Sequence, residues 1–347
     1  MYAAQRVFGT IGDREPTAPQ SPGASDHAVP RDARSGVPVP MLTQVSGSAR
    51  HAVLMRGAAV PFFWSALIVL GGAPAGAVVN VLDDAGREVQ LQKPARRIVS
   101  VAPHATELLF AAGAGQYVVG VSEHSDYPPR AARLPTVGGG SGLDLEAILA
   151  LRPELVVAWQ SGNSPGQLSQ LESLGVPLFY SEPRQIEGIA TSLERLGTLA
   201  GTAQLAQRAA AGFRKAVARL AVRYAGRDEV TVFYQIWDRP LMTINGHHLI
   251  SAWLRLCGAR NVFSDMPRLA SAVSLEAVLA ADPQAIISGT YAGKGHGWSA
   301  LWRAWPQLEA VRHDRLYSVD AATMERQTPR ALAAAERLCE QVDRVRR

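Results

Sequence analysis

Short apolar runs alternate along this chain with longer amphipathic ones, and the two lengths separate strands from helices. Ile98-Val99-Ser100-Val101, Val118-Val119-Gly120-Val121, Leu155-Val156-Val157-Ala158 and Pro177-Leu178-Phe179-Tyr180 read as strands in one part of the chain. Thr231-Val232-Phe233-Tyr234, Ala285-Ile286-Ile287 and Leu316-Tyr317-Ser318-Val319 do so further on. Continuous apolar strands interleaved with helices must be covered on both faces, which predicts mainly parallel sheets in an α/β fold. Between the two sets, apolar side chains recur at Leu205, Ala209, Phe213, Val217, Leu220 and Tyr224. That spacing of three or four predicts one long amphipathic helix from Thr202 to Tyr224.

One pattern occurs twice. Leu145-Glu146-Ala147-Ile148-Leu149-Ala150-Leu151-Arg152-Pro153 and Leu275-Glu276-Ala277-Val278-Leu279-Ala280-Ala281-Asp282-Pro283 agree at six of nine positions. Each follows a capping residue, Asp144 or Ser274, and each precedes a strand. Two such units predict two similar, Rossmann-like α/β lobes, residues 78–200 and 227–347, joined by one helix over 201–226. A single helical connector makes a stiff joint.

The start of the chain has a different character. Met55-Arg56 leads into an apolar run from Ala58 to Leu70, then Gly71-Gly72 and Ala75-Gly76-Ala77. This is the layout of a secretory signal peptide over 55–77, and the run falls short of the ~20 apolar residues of a spanning helix. No Cys follows it, which argues against a lipid anchor. Residues 1–54, rich in Pro, Ser, Ala and Arg, carry no helical or strand period and read as disordered or as a mis-assigned leader ahead of a true start at Met55. The expected location of the mature protein is the periplasm.

Composition adds exclusions. The 35 basic and 30 acidic side chains leave +5, too little to imply nucleic acid. The motifs Gly-x-x-x-x-Gly-Lys, His-Glu-x-x-His and Cys-x-x-Cys do not occur. Gly138-Gly139-Gly140-Ser141-Gly142 lacks a following Lys and reads as a flexible loop, and His247-His248 lacks the spacing for one metal. No cofactor and no resident metal are expected. In an oxidising compartment thiols tend to pair, so Cys257 and Cys339 are candidates for a disulfide worth ~2–4 kcal/mol, with two free buried thiols as the alternative.

Pro103-His104-Ala105-Thr106-Glu107-Leu108-Leu109-Phe110-Ala111-Ala112-Gly113, Ser125-Asp126-Tyr127-Pro128-Pro129 and Ala158-Trp159-Gln160-Ser161-Gly162-Asn163 together resemble the cobalamin-binding periplasmic proteins. Val273-Ser274-Leu275-Glu276 and Glu325-Arg326-Gln327-Thr328-Pro329-Arg330 extend the likeness, which runs from about Arg96 to Arg347. The resemblance implies a non-enzymatic, monomeric protein that holds a corrinoid between its lobes for an ABC importer. It implies ligand contacts at Tyr127, Trp159, Tyr180 and Arg326, with Trp237 facing the cleft from the second lobe. It also implies that Glu146 and Glu276 dock on arginines of the membrane subunits, although a carboxylate in the first turn of a helix has a sufficient local reason to be there. The physical case agrees: a flat, amide-fringed ring needs aromatic walls and a few directed polar groups.

The chain departs from the family at His104, where a small residue is common and an imidazole could touch the ligand or its metal. It departs again at Ala270-Ser271, where some relatives have Trp, and at Ala322, where an acidic residue is expected and Asp320 is the nearest substitute. The rival readings are a haem binder of the same fold ligating iron through His104 or Tyr127, a siderophore binder, and an exported hydrolase. The last would need a nucleophile and base that the chain does not display.

Overall fold

The computed structural model describes residues 78–290 and 297–347, which fall in one compact unit. The predicted leader and signal peptide lie outside the described residues.

The first lobe runs β1 (Val79–Leu82), β2 (Glu88–Leu91), β3 (Ile98–Ser100), α1 (Pro103–Ala111), β4 (Val118–Val121), β5 (Gly138–Gly139), β6 (Gly142–Leu143), α2 (Leu145–Ala150), β7 (Leu155–Trp159), α3 (Pro165–Ser173), β8 (Leu178–Ser181) and α4 (Ile186–Leu199). Helix α5 (Ala203–Tyr224) follows. The second lobe runs β9 (Val230–Gln235), β10 (Trp237–Asp238), β11 (Leu241–Ile244), α6 (Leu249–Leu256), β12 (Ala259–Asn261), β13 (Ala270–Ala272), α7 (Leu275–Ala281), β14 (Ala285–Thr290), α8 (Trp298–Arg303), α9 (Glu309–Arg312), β15 (Leu316–Asp320), α10 (Ala321–Met324) and α11 (Ala331–Val345).

Each lobe is built on a four-stranded parallel sheet, in the order β4-β3-β7-β8 and β12-β9-β14-β15. In both, the second strand lies on one side of the first while the third and fourth lie on the other. The repeated sequence therefore occupies the same slot twice, since α2 and α7 each deliver the chain to the third strand. The likeness is local as well. Asp144 Oδ1 accepts from the Ala147 N–H at 2.9 Å, and Ser274 Oγ from that of Ala277 at 3.2 Å. Each unit also ends on a left-handed residue before Pro, Arg152 at φ 46° and Asp282 at φ 37°.

Three small antiparallel ladders complete the fold: β1-β2, β5-β6 and β10-β11-β13. The second of these corrects the reading of 138–142 as a flexible loop. Gly138, at φ 93°, takes a conformation closed to side chains, and the Gln167 side chain clasps Leu143, accepting from its N–H at 3.0 Å and donating to its carbonyl at 2.9 Å.

The main apolar core passes through both lobes by way of α5. Ala206, Ala210, Phe213, Leu220 and Tyr224 are buried in it with Leu193 and Leu196 of α4, Trp253 of α6 and Leu338 of α11. Phe213 meets Trp253 edge-on, ring centroids 6.4 Å apart. Bending α5 would expose this surface at about 25 cal/mol per Å² of apolar area, so the packing opposes bending. Cys257 and Cys339 form a disulfide between the end of α6 and α11. Among the described residues no helix is long and apolar enough to cross a membrane.

Candidate functional site

The side chains of interest lie beyond the carboxyl ends of the parallel strands, where open α/β sheets take ligands. Strand β3 leads to His104 and Glu107 on α1, and β4 leads to His124, Asp126 and Tyr127. Strand β7 ends on Trp159 and β8 on Ser181. In the second lobe, β15 leads through α10 to Arg326, Thr328 and Arg330.

His104 and Trp159 form one part of the site. Their rings meet edge-on at 5.6 Å, and His104 Nε2 lies 3.2 Å from Ser181 Oγ. The imidazole is 3% exposed. Burial pulls its pKa down to about 4; a hydrogen bond to the Ser181 backbone opposes this and the positive charge of Arg326 adds to it. The ring is therefore neutral at physiological pH. The Trp159 indole N–H is buried without a hydrogen-bond partner. The turn after β7 explains the spacing of its motif. A Cβ on Gly162 would run into the Trp159 indole, so only glycine leaves the ring its seat. Asn163 then fixes the turn, accepting from the Trp159 N–H at 2.7 Å and donating to the Val101 carbonyl at 3.0 Å.

The second part joins the lobes through ion pairs. Glu107, with its side chain 2% exposed, accepts at Oε1 from Arg326 Nη1 and Arg330 Nη1, both at 2.8 Å, and at Oε2 from Thr328 Oγ1 at 2.9 Å. Arg326 Nη1 also donates to Asp126 Oδ1 at 2.6 Å, and its Nη2 to the His124 carbonyl at 3.0 Å. Burial lowers the Arg326 pKa, but Asp126 and Glu107 outweigh it and the net shift is upward. Burial likewise raises Asp126, and the bond and charge of Arg326 outweigh that, so its carboxyl sits below the usual carboxylate range. Arg330 lies over the Tyr127 ring at 3.9 Å from its centroid, leaving that side chain's residue 43% exposed.

The structure thus brings His104 to Trp159, and Arg326 to the loop that carries Tyr127. It does not bring Tyr180 to them. The register Ala158↔Tyr180 and Trp159↔Ser181 puts Tyr180 on the opposite sheet face from Trp159. There it lies under the Arg87 guanidinium, 3.9 Å from the ring centroid. Ser181, one residue on, is the one that faces His104. Trp237 is half-buried in β10, its indole N–H donating to the Arg239 carbonyl at 2.8 Å. Asp320, considered as an acidic substitute near the ligand, accepts from Thr323 Oγ1 at 2.7 Å and so serves the end of α10. Glu146 and Glu276 are both exposed, at equivalent positions of α2 and α7. Backbone and Ser274 hydrogen bonds hold the Glu276 pKa down.

Sequence reasoning missed Glu107, Asp126, Thr328 and Arg330, all inside quoted motifs. The available signal was a lone carboxylate in the apolar run Leu108-Leu109-Phe110, which must be paired if it is buried. A depression of about 350 Å³ opens beyond β7 and β8, lined by first-lobe residues including Asp84, Gln160, Glu182 and Arg184. Neither Trp159 nor Arg326 borders it. Among the described residues no group of His, Cys, Asp and Glu could hold a metal ion.

Residues 98–323 match a family described as periplasmic binding protein. The vitamin B12-binding protein of Vibrio cholerae is 39% identical over 248 residues, 71% of this chain and 88% of that protein. That of Yersinia pestis is 38% identical over 248 residues, covering 72% and 86%. Among solved structures, the periplasmic vitamin B12-binding protein of V. cholerae superposes with a TM-score of 0.68 at 36% identity, over 73% of this chain and 99% of that one. The periplasmic haem-binding protein of Roseiflexus sp. RS-1 does so at 0.63 and 25%, covering 73% and 99%.

Proposed function

The chain belongs to the periplasmic binding protein family, and from that premise we propose that it captures a corrinoid of the vitamin B12 class between its lobes and hands it to an ABC importer. The observation that carries the choice of ligand is the 39% identity to a vitamin B12-binding protein over 88% of its length, against 25% for the haem-binding neighbour. The side chains support it. Trp159 and Tyr127 offer aromatic surface, and Trp237 would add a wall from the second lobe. Arg326 offers directed N–H groups to ring-edge amides. His104 would pack against the ligand as a neutral ring. Tyr180, on the other sheet face, is left out of this set.

Titration calorimetry of the purified protein with cyanocobalamin, cobinamide and haem tests the reading. Heat from the corrinoids is expected. Haem is the second reading, motivated by the haem-binding neighbour of the same fold. A Soret shift abolished by His104→Ala, with no heat from cyanocobalamin, would replace the first reading with the second.

In the cell, the 55–77 segment would direct export and be removed near Ala77, which N-terminal sequencing of the exported protein would check. Glu146 and Glu276, one exposed on each lobe, would meet arginines of the membrane subunits, giving orientation and on-rate more than affinity. Replacing both with Ala should lower uptake while calorimetry shows the same ligand affinity; undiminished uptake would end that claim.

A further inference from the structure

Two carboxylates of the first lobe hold Arg326 Nη1, and they differ in how firmly they are placed. Glu107 is committed: its side chain is 2% exposed, it is bonded to three second-lobe donors, and moving it would strand a buried charge. Asp126 is exchangeable: its side chain is 67% exposed, and it reaches Arg326 from a surface loop. An ion pair with so exposed a partner shifts an equilibrium by no more than roughly fivefold.

The charge count within this group is balanced only while Asp126 stays. Two guanidiniums, Arg326 and Arg330, face two carboxylates. If Asp126 swings out, Arg326 and Arg330 remain over Glu107 alone, leaving one positive charge in surplus at the lobe junction. That surplus would lie beside Tyr127, the neighbour of Asp126 in the chain, whose ring Arg330 already covers. An aromatic surface and a vacated guanidinium next to each other suit a ligand that carries an anionic oxygen group on an apolar body.

We propose that Asp126 is an internal stand-in for an anionic group of the ligand, occupying Arg326 in the empty protein and yielding it to a phosphodiester when the ligand enters. Asp126 thereby sets the discrimination between ligands that carry the phosphodiester and ligands that lack it. The inference rests on the corrinoid reading, in which the anionic group is the phosphodiester of the nucleotide arm, a group that cobinamide lacks.

The experiment compares affinities for cyanocobalamin and cobinamide in wild-type protein, Asp126→Asn and Asp126→Ser, by calorimetry at fixed low salt. Removing the competing carboxylate should raise the ratio of cyanocobalamin to cobinamide affinity roughly threefold to fivefold in both variants. A merely structural role for Asp126 would move both affinities by the same factor. An unchanged or reduced ratio overturns the proposal and leaves the corrinoid reading standing. Wild-type protein that binds neither corrinoid overturns the reading and the proposal together.

Discussion

Glu107→Gln puts the joint between the lobes to a direct test. The substitution keeps the shape of the side chain and removes the charge that two guanidiniums and one hydroxyl share. A glutamine can accept through one oxygen, but its amide presents donors to a group made of donors. Removing one partner from a buried ion pair costs ~3–5 kcal/mol, because the charge left behind is poorly solvated. Arg330 is 33% exposed and can turn to water, and Arg326 keeps Asp126, so the lower end applies, ~3 kcal/mol. At about 2 °C per kcal/mol for a domain of this size, the melting temperature should fall by ~6 °C in scanning calorimetry near neutral pH. The deficit should persist at ~1 M salt, where surface pairs are screened and a buried one is not. A fall of less than ~2 °C, or one that salt abolishes, would mean that this group contributes little to holding the lobes together.

Three further outcomes follow from the same geometry. His104 has a folded-state pKa of about 4, below its unfolded value of ~6.5, so the unfolded chain takes up the proton first; stability should fall by up to ~3 kcal/mol as pH drops through that window. Urea unfolding across it should show the slope reduced in His104→Asn, and identical slopes would refute the assignment. Gly162→Ala should displace the Trp159 indole, lowering stability by ~1–3 kcal/mol and weakening corrinoid binding, which intrinsic fluorescence and calorimetry would report. Cys257→Ser opens a link spanning 82 residues and should cost roughly 4–5 kcal/mol by loop entropy, read as a lower urea midpoint; an unchanged midpoint would remove the disulfide from the stability account.

What could be read from the sequence was whatever local periodicity encodes. The apolar runs became strands close to their predicted limits, and the spacing from Leu205 to Tyr224 became α5. The repeat located equivalent slots in two sheets because a capped helix followed by Pro and a strand is a local signal. Tyr180 was misplaced because facing depends on register, and a shift of one residue moves a side chain to the other side of the sheet. Glu107 escaped notice because its partners are 219 to 223 positions away. A carboxylate in a helix reads as solvated until a distant arginine is seen beside it. The ladder at 138–143 was missed for a like reason, since Gln167 stabilises it from another element.

The passage of a single apolar core through α5 has a mechanical consequence. Gaping widely would pull shared hydrocarbon apart and into water, so the packing favours small excursions over a trap-like closure. On the proposed function, cargo would enter and leave through small fluctuations of this kind, and prompt unloading would call for an outside agent to lever the walls apart.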